Sequence, residues 1–237
     1  MLEIKNYSKS YKSGIKAVDN ISLMVEEGDL FAFIGHNGAG KSTTIKSIVG
    51  ILDFEEGDII INGLSIKKNP VECKKQIAYI PDNPDLYESL TGIRYLNFIS
   101  DVYEVSKEER KENIEKYATL FGLKDKLNDY IGSYSHGMKQ KLALISAFLH
   151  NPKLLILDEP FVGLDPKASY LVKQAMKDFC DKGGIIFFST HILEVAQKLC
   201  NKIAIIKNGK LVTTGTMEEV TKDLSLEDVF MELTEHE

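Results

Sequence analysis

The sequence predicts an α/β fold with a mostly parallel central sheet, an N-terminal antiparallel β subdomain and an inserted α-helical subdomain. Two short apolar runs, in KLLILDEP and GGIIFFST, are typical of strands buried on both faces of a parallel sheet. Alternating apolar residues and glycine turns dominate the N-terminal third of the chain. From about Leu90 the apolar residues instead follow a helical period, which indicates the inserted helices.

The N-terminal elements follow from alternation and turn residues. NISLMVEEGDLFAFIG predicts an alternating strand, a turn at residues 27–29 and an apolar strand that ends at Gly35. EGDIIINGLSI predicts a hairpin that turns at Asn62–Gly63, since Asn-Gly suits a two-residue turn. QIAYIPDNPDLY predicts a strand that ends in a proline-containing loop.

The later elements are mostly helices and buried strands. SKEERKENIEKYATLFGL predicts an amphipathic helix whose capping box joins Ser106 and Glu109. A helix from about Lys167 to Cys180 separates the two buried strands. IAIIKNGKLVTTG predicts a final hairpin at Asn208–Gly209.

The chain shows no repeats and no low-complexity linker, which favours a single domain over residues 1–237. About 1–82 and 153–216 are predicted to form the core with its β subdomain, about 83–152 the helical subdomain, and about 217–237 a helical tail. We expect the tail to be a solvated helix that packs through its apolar residues, and docking of a partner is the alternative. These apolar residues are Leu224, Leu226, Val229 and Phe230.

Composition excludes several classes of protein. The net charge is −6, the pI is about 5.5 and no basic patch dominates, which disfavours a nucleic-acid-binding role. Cys73, Cys180 and Cys200 form no CxxC pair, which fits a reducing compartment and disfavours a disulfide framework or a zinc site. The N-terminus lacks a signal-peptide core, and the apolar runs are shorter than the ~20 residues that cross a bilayer.

A phosphate-binding loop is the strongest motif. GHNGAGKST matches G-x-x-x-x-G-K-[ST] between a predicted strand and a predicted helix, whereas a chance match is expected in roughly one chain in a hundred. Its backbone N–H groups would bind phosphate oxygens, Lys41 would reach the β- and γ-phosphates, Ser42 would ligand Mg²⁺, and Thr43 would touch the α-phosphate. The loop residues expected to bind nucleotide are Gly35, His36, Asn37, Gly38, Ala39, Gly40, Lys41, Ser42 and Thr43.

Acidic and polar residues follow the two buried strands. Asp158 suits a direct or water-mediated Mg²⁺ contact, and Glu159 suits a general base for the attacking water. FFSTHI places His191 at another strand end, where it would contact the γ-phosphate or hold Glu159. The alternatives are a charged turn that leaves the core and a structural histidine.

YSHGMKQKLALISAFLHNP predicts a helix that begins as a second anion site. Ser135 suits the N-cap and Gly137 allows close backbone approach, so unpaired N–H groups would face outward. His136 is expected to occupy a position where only its backbone amide matters, with its ring at an interface. Acid–base chemistry by His136 is the alternative.

Together these motifs resemble the ATP-binding cassette (ABC) ATPases, the motor subunits of ABC transporters, over essentially the whole chain. GHNGAGKST is similar to their Walker A loop, LLILDE to Walker B with its catalytic glutamate, and YSHGM to the signature LSGGQ. Tyr11 resembles the aromatic residue that stacks on adenine, and His191 resembles the switch histidine. GLD resembles the D-loop, which places Asp165 at a dimer interface.

The chain departs from the family pattern at two places. Tyr134, His136 and Met138 replace the usual Leu, Gly and Gln of the signature, whereas Ser135 and Gly137 are retained. Asp82 replaces the glutamine that joins Mg²⁺ to the transmembrane partner, and it is expected to ligand the metal through water. The Tyr-Ser-x-Gly-Met form and the tail SLEDVFMELT resemble the bacterial two-component exporter subgroup for drugs, peptides or polysaccharides.

The resemblance implies an ATPase that uses ATP and Mg²⁺ and powers export through a separate integral-membrane permease subunit. Two subunits, as a homodimer or heterodimer, would pair head to tail so that the signature of each completes the site of the other. The expected location is cytoplasmic and peripheral, at the inner face of the cell membrane, with no nucleic-acid partner and no metal other than Mg²⁺. The alternatives are a non-transport ABC-type ATPase with a regulatory or repair role, and a P-loop kinase or GTPase. A kinase or GTPase shares only the first loop, and NKIA lacks the Asp of the guanine-binding NKxD pattern.

Overall fold

The computed structural model of the chain describes residues 1–11, 14–222 and 224–235. Ten strands lie in these residues and form two sheets. Their bounds are β1 Leu2–Ser10, β2 Lys16–Val25, β3 Leu30–Ile34, β4 Glu56–Ile61, β5 Leu64–Ser65, β6 Ile77–Ile80, β7 Leu154–Asp158, β8 Ile185–Thr190, β9 Lys202–Lys207 and β10 Lys210–Thr216.

Nine α-helices and two short 3-10 turns, Lys124–Lys126 and Ile131–Ser133, complete the described chain. The helices are α1 Lys41–Ile48, α2 Pro70–Lys75, α3 Gly92–Val102, α4 Lys107–Leu120, α5 His136–Phe148, α6 Pro166–Asp181, α7 Leu193–Leu199, α8 Met217–Thr221 and α9 Leu226–Glu235.

The larger sheet has the order β10-β9-β3-β8-β7-β6, and all its neighbouring pairs are parallel except β10 with β9. Every residue of β3, β7 and β8 is buried, as the apolar runs predicted, because one face of the sheet packs against helices and the other packs against α1 and the smaller sheet. The smaller sheet, β2-β1-β4-β5, is antiparallel. The predicted fold class is therefore confirmed.

The parallel register brings several strand ends to one edge of the sheet. Ile34 at the end of β3 lies opposite Thr190 of β8, and Asp158 of β7 lies opposite Ser189. This edge therefore brings together the loop after β3, Asp158 and Glu159 at the end of β7, and His191 after β8. Open α/β sheets commonly bind ligands at such an edge.

Both predicted Asn-Gly hairpins are confirmed, and Asn62, Gly63, Asn208 and Gly209 all have positive φ values between 48° and 81°. The strand β1 was not predicted. It pairs with β2 and β4, and its register shifts after Ile4. These shifts and the polar residues of the strand interrupt the alternation of apolar and polar residues that would have predicted it.

The capping box predicted for α4 is only half formed. Ser106 accepts the N–H of Glu109, but the Glu109 carboxylate accepts the Ser106 hydroxyl at 2.9 Å instead of the Ser106 backbone N–H. A complete box occurs at α8, where Thr216 and Glu219 bond reciprocally.

The predicted helical tail forms α8 and α9, and its residues 223, 236 and 237 lie outside the described residues. Leu226 and Val229 are buried and Phe230 packs partly against the core, as expected. Leu224 was expected to pack but is half exposed, because it lies in the bend between the two helices.

All three cysteines are buried as free thiols. Among residues 1–11, 14–222 and 224–235, we find no helix with the length and apolar character that a bilayer span requires. Helices α3, α4 and α5 lie between β6 and β7 in the chain, where the helical subdomain is predicted. The exact subdomain boundaries stay a prediction.

Candidate functional site

The predicted phosphate loop connects β3 to α1, and its shape is set by the strands behind it. Gly40 has φ 110°, and a Cβ there would lie 2.7 Å from the carbonyl oxygen of Ala17. A Cβ at Gly35 would lie 2.5 Å from the carbonyl oxygen of Ile206. Both positions therefore require glycine, and the loop backbone lies directly against β2 and β9.

Lys41 is the first residue of α1, and its ammonium folds back over the loop. Its Nζ donates to the carbonyl oxygens of Gly35 at 2.6 Å and His36 at 3.2 Å, and the side chain is buried. Burial lowers the pKa of Lys41, while the nearby carboxylates of Glu159 and Asp158 oppose that shift. The arrangement places a cation among the backbone N–H groups of a helix start, where it attracts phosphate.

A cavity of about 370 Å³ opens over this loop. Its volume falls within the roughly 300–1,000 Å³ of small-molecule pockets. The half-exposed ring of Tyr11 stands beside the loop, with its hydroxyl 3.3 Å from Thr43 Oγ1. The cavity is lined by Tyr11, Ala17, Asn37, Gly38, Gly40, Lys41, Ser42, Thr43, Asp82, Asp158 and Glu159.

The other predicted loop residues lie outside the lining of this cavity. Gly35 and Ala39 are buried behind the loop, and the Ala39 carbonyl accepts the N–H of Gly209 at 2.9 Å. His36 is exposed, and its Nδ1 lies 2.7 Å from the carbonyl oxygen of Asn37.

The residues predicted to hold Mg²⁺ lie in the same cavity. The hydroxyl of Ser42 and the carboxylates of Asp82 and Asp158 are hard oxygen donors, which Mg²⁺ prefers. In the part of the chain that the structure describes, no three His, Cys, Asp or Glu side chains cluster as a metal site of their own. The donor set therefore fits an ion that takes its other ligands from phosphate and water.

Asp158 ends β7, and Glu159, the next residue, contacts His191. Asp158 is buried, whereas the Glu159 side chain is partly exposed and reaches His191, with Oε1 at 2.9 Å from Nδ1. Glu159 has φ 50°, in the left-handed region that few residues other than glycine adopt. Its N–H donates to both the carbonyl oxygen and the hydroxyl of Ser189. Sequence reasoning assigned no role to Ser189, because its contacts depend on the pairing of β7 with β8.

The predicted second anion site is the start of α5. Ser135 is the N-cap and accepts the N–H of Met138 at 3.3 Å, as predicted. Both Ser135 and His136 are exposed, and the cap lies outside the cavity over the phosphate loop. Tyr134, in contrast, is buried and anchors the segment through its hydroxyl, which donates to the Lys126 carbonyl at 2.6 Å.

The start of α5 lies against the segment that follows Glu159. A Cβ at Gly163 would be 2.3 Å from His136 Cδ2, and a Cβ at Gly137 would be 3.0 Å from the Gly163 carbonyl oxygen. Asp165 is the N-cap of α6 and forms an ion pair with Lys141 at 3.3 Å. The N–H of Ala168, more than Lys141, lowers the pKa of Asp165. The signature and the predicted D-loop are therefore packed together within one chain.

Comparisons with known proteins indicate the family and the fold of the chain. Residues 18–162 match the family model described as "ABC transporter". The chain is 35% identical to the ABC-type transporter ATP-binding protein EcsA of Bacillus subtilis, across 100% of this chain and 98% of EcsA. It is 34% identical to the SkfA peptide export ATP-binding protein SkfE of the same organism, across 90% of this chain and 87% of SkfE. A solved structure described as the ATP binding subunit of an ABC transporter shares 37% identity, superposes with a TM-score of 0.95, and is covered to 99% in both chains.

Proposed function

The chain belongs to the ABC transporter family and is an ATP-binding ABC ATPase; from this premise we propose that it works in a dimer and powers export through a separate integral-membrane permease subunit. The observation that carries this proposal is the cavity in which the phosphate loop, Lys41, Asp158 and Glu159 meet. Phosphoryl transfer requires mainly positioning and charge stabilisation, and this set of residues supplies both.

In the proposed reaction the loop N–H groups and Lys41 hold the phosphates of ATP, and Tyr11 stacks on the adenine. Ser42, Asp158 and Asp82 would hold Mg²⁺, with the two aspartates acting directly or through water. Bound there, the ion would neutralise charge on the phosphate oxygens.

Glu159 acts as the general base of this reaction. The water oxygen bonds to the γ-phosphorus while Glu159 accepts a water proton, and the bond from the γ-phosphorus to the bridging oxygen breaks. ADP leaves with that electron pair, and inorganic phosphate is the other product. His191 orients the Glu159 carboxylate through the 2.9 Å contact.

The dimer follows from the separation of the two anion sites. Ser135, His136 and Gly137 start α5 on a surface outside the cavity, so a nucleotide in that cavity meets a signature only if another subunit supplies it. We therefore propose a head-to-tail pair in which ATP lies between the phosphate loop of one subunit and the signature of the other. Asp165 forms an ion pair with Lys141 of α5 and would join that interface.

An exposed apolar patch supports a permease partner. Tyr87, Phe98 and Val102 are 58%, 43% and 57% exposed, and the rings of Tyr87 and Phe98 lie 5.7 Å apart. Tyr87 belongs to the same loop as Asp82, which lines the nucleotide cavity. A partner bound to this patch would therefore sense the cavity through a short segment. Such a partner would hold the chain in the cytoplasm, at the inner face of the membrane. The name of SkfE supports export.

The variant Glu159→Gln tests the assignment. It is expected to bind ATP, to lose at least ~100-fold in hydrolysis and to accumulate an ATP-bound dimer, because only the proton acceptor is removed. ATP affinity, hydrolysis rate and sedimentation would be measured beside Glu194→Gln, which makes the same change at an exposed glutamate on α7. Hydrolysis by Glu159→Gln at the rate of the unmodified chain would contradict the proposal.

The permease is tested separately. Affinity purification of the chain from detergent-solubilised membranes is expected to recover an integral-membrane subunit. The variant that combines Tyr87→Ser and Phe98→Ser should lose that subunit and keep its own ATP affinity. Retention of the subunit by this variant would rule out the patch as the docking surface.

A further inference from the structure

Ser189 connects the two acidic residues of the site. It is fully buried in β8 and lies opposite Asp158 in the parallel register. Its hydroxyl donates to Asp158 Oδ1 and accepts the N–H of Glu159 at 3.2 Å. Its carbonyl oxygen accepts the same N–H at 3.2 Å. One residue thus contacts both carboxylate-bearing residues at the end of β7.

The contact between Ser189 and Glu159 matters because the backbone of Glu159 has an unusual conformation. A φ of 50° is unfavourable for a residue with a Cβ, so the surroundings must hold it. The two acceptors on Ser189 fix the N–H of Glu159 in that conformation. Because the backbone torsions set the direction of Cα–Cβ, they also direct the Glu159 carboxylate to the cavity edge, where it meets His191.

The hydrogen bond to Asp158 acts on the other carboxylate. A donor on Oδ1 restricts rotation of the carboxyl group and leaves Oδ2 for a ligand or water. The hydroxyl therefore orients Asp158 and Glu159 relative to each other. Its neighbour Thr190 uses its hydroxyl differently, as acceptor of the Ile192 N–H at 3.1 Å.

We propose that Ser189 is a positioning residue for ATP hydrolysis, which orients the proposed metal ligand Asp158 and holds the proposed base Glu159 in its left-handed conformation. This inference rests on the proposed roles of those two residues. A hydroxyl suits the position because one oxygen must donate to a carboxylate and accept from an amide. Threonine retains both functions, whereas valine has the shape of threonine without the hydroxyl.

The test compares Ser189→Thr with Ser189→Val. Both add bulk at a fully buried position, so any packing cost is shared and the difference reports the hydroxyl. The valine variant is expected to lose about tenfold to a hundredfold in kcat relative to the threonine variant, as misplaced catalytic groups do. Affinity for ATP in EDTA, measured by calorimetry, should stay within about threefold in both, because the phosphate loop is unchanged.

Ser189→Ala repeats the test without added bulk, in case the larger side chains prevent folding. It should lose kcat to a similar extent and retain ATP affinity in EDTA. The control is Ser100→Ala, which removes another fully buried hydroxyl, one that donates to the Leu96 carbonyl at 2.8 Å within α3. Ser100→Ala is expected to retain kcat.

Equal kcat values for the Thr and Val variants, or an unchanged kcat in Ser189→Ala, would overturn the inference. So would a loss of kcat that is matched by a loss of ATP affinity in EDTA, since that indicates a general loss of structure. The variant Glu159→Gln distinguishes failure of the inference on Ser189 from failure of the proposed function. If Glu159→Gln is inactive while Ser189→Ala is fully active, only the role of Ser189 is wrong. If Glu159→Gln hydrolyses ATP normally, both proposals fail.

Discussion

The phosphate loop and the start of α5 are the two helix N-termini that we propose bind phosphate, but the chain supports them very differently. The loop lies against β2 and β9 so closely that Gly35 and Gly40 have no space for a Cβ. At the start of α5, Ser135 and His136 are exposed, and the helix start contacts the short segment around Gly163. The first site has a fixed shape, whereas the second is open on its outer side.

The difference extends to the charged groups nearby. The loop shares its cavity with Lys41, Asp158 and Glu159, so the proposed phosphate binding and water activation would occur in one place. The start of α5 contributes N–H groups and the Ser135 hydroxyl. The start of α5 lies outside that cavity, so we expect it to act on a nucleotide already held by another subunit.

The largest effect is expected from Gly40→Ala. The added Cβ would lie 2.7 Å from a backbone oxygen at φ 110°, so the loop must move and its N–H groups no longer converge on phosphate. ATP binding, measured by calorimetry, should become undetectable. The control is Gly63→Ala, where φ is 81° but no atom lies within 4 Å of the added Cβ. It carries the backbone strain without the collision, so it should lower stability and retain ATP affinity. Normal ATP binding by Gly40→Ala would show that the loop adapts.

A smaller effect is expected from Gly163→Ala. The added Cβ would displace the ring of His136, 2.3 Å away, and φ of 76° adds backbone strain. We expect ATP-dependent dimerisation and hydrolysis to fall about tenfold, while ATP binding to the monomer stays unchanged because the phosphate loop is not affected.

The variant His136→Gly removes the ring from this contact. In the double variant His136→Gly, Gly163→Ala, hydrolysis should recover part of the loss, because only the backbone strain remains. His136→Gly alone should retain activity and its pH profile, which would exclude acid–base chemistry by the imidazole. A loss of monomer ATP binding in Gly163→Ala would contradict the separation of the two sites.

This comparison also shows how far the sequence could predict the molecule. The phosphate loop was predictable because its spacing, its strand and its helix are all local in the chain. The N-cap at Ser135 was predictable for the same reason. The collision between His136 and Gly163 was not, since it joins segments 27 residues apart whose approach depends on the packing of α5 and α6.

Other differences have similar causes. The left-handed backbone of Glu159 depends on hydrogen bonds to β8, which no local pattern reveals. The half-formed capping box at Ser106 shows that a serine and a glutamate three residues apart permit the two reciprocal hydrogen bonds without requiring them. The exposed Leu224 was predicted to pack because a helical period was extended through a bend.

The smallest effect is expected from substitutions at two matched helix caps, and it tests the comparison of the two helix starts most directly. Ser135 caps α5 and Ser106 caps α4, both are exposed, and each accepts an N–H at 3.3 Å. Ser135→Ala and Ser106→Ala should therefore each lower the free energy of unfolding by about 1 kcal/mol. Only Ser135→Ala should also reduce ATP-dependent dimerisation and hydrolysis, by about threefold to tenfold, because the lost hydroxyl would contact phosphate as well as the helix. Unfolding curves and sedimentation with ATP would measure the two effects. Equal losses of hydrolysis in the two variants would mean that Ser135 only caps its helix, whereas a loss confined to Ser135→Ala would make the open start of α5 part of the nucleotide site.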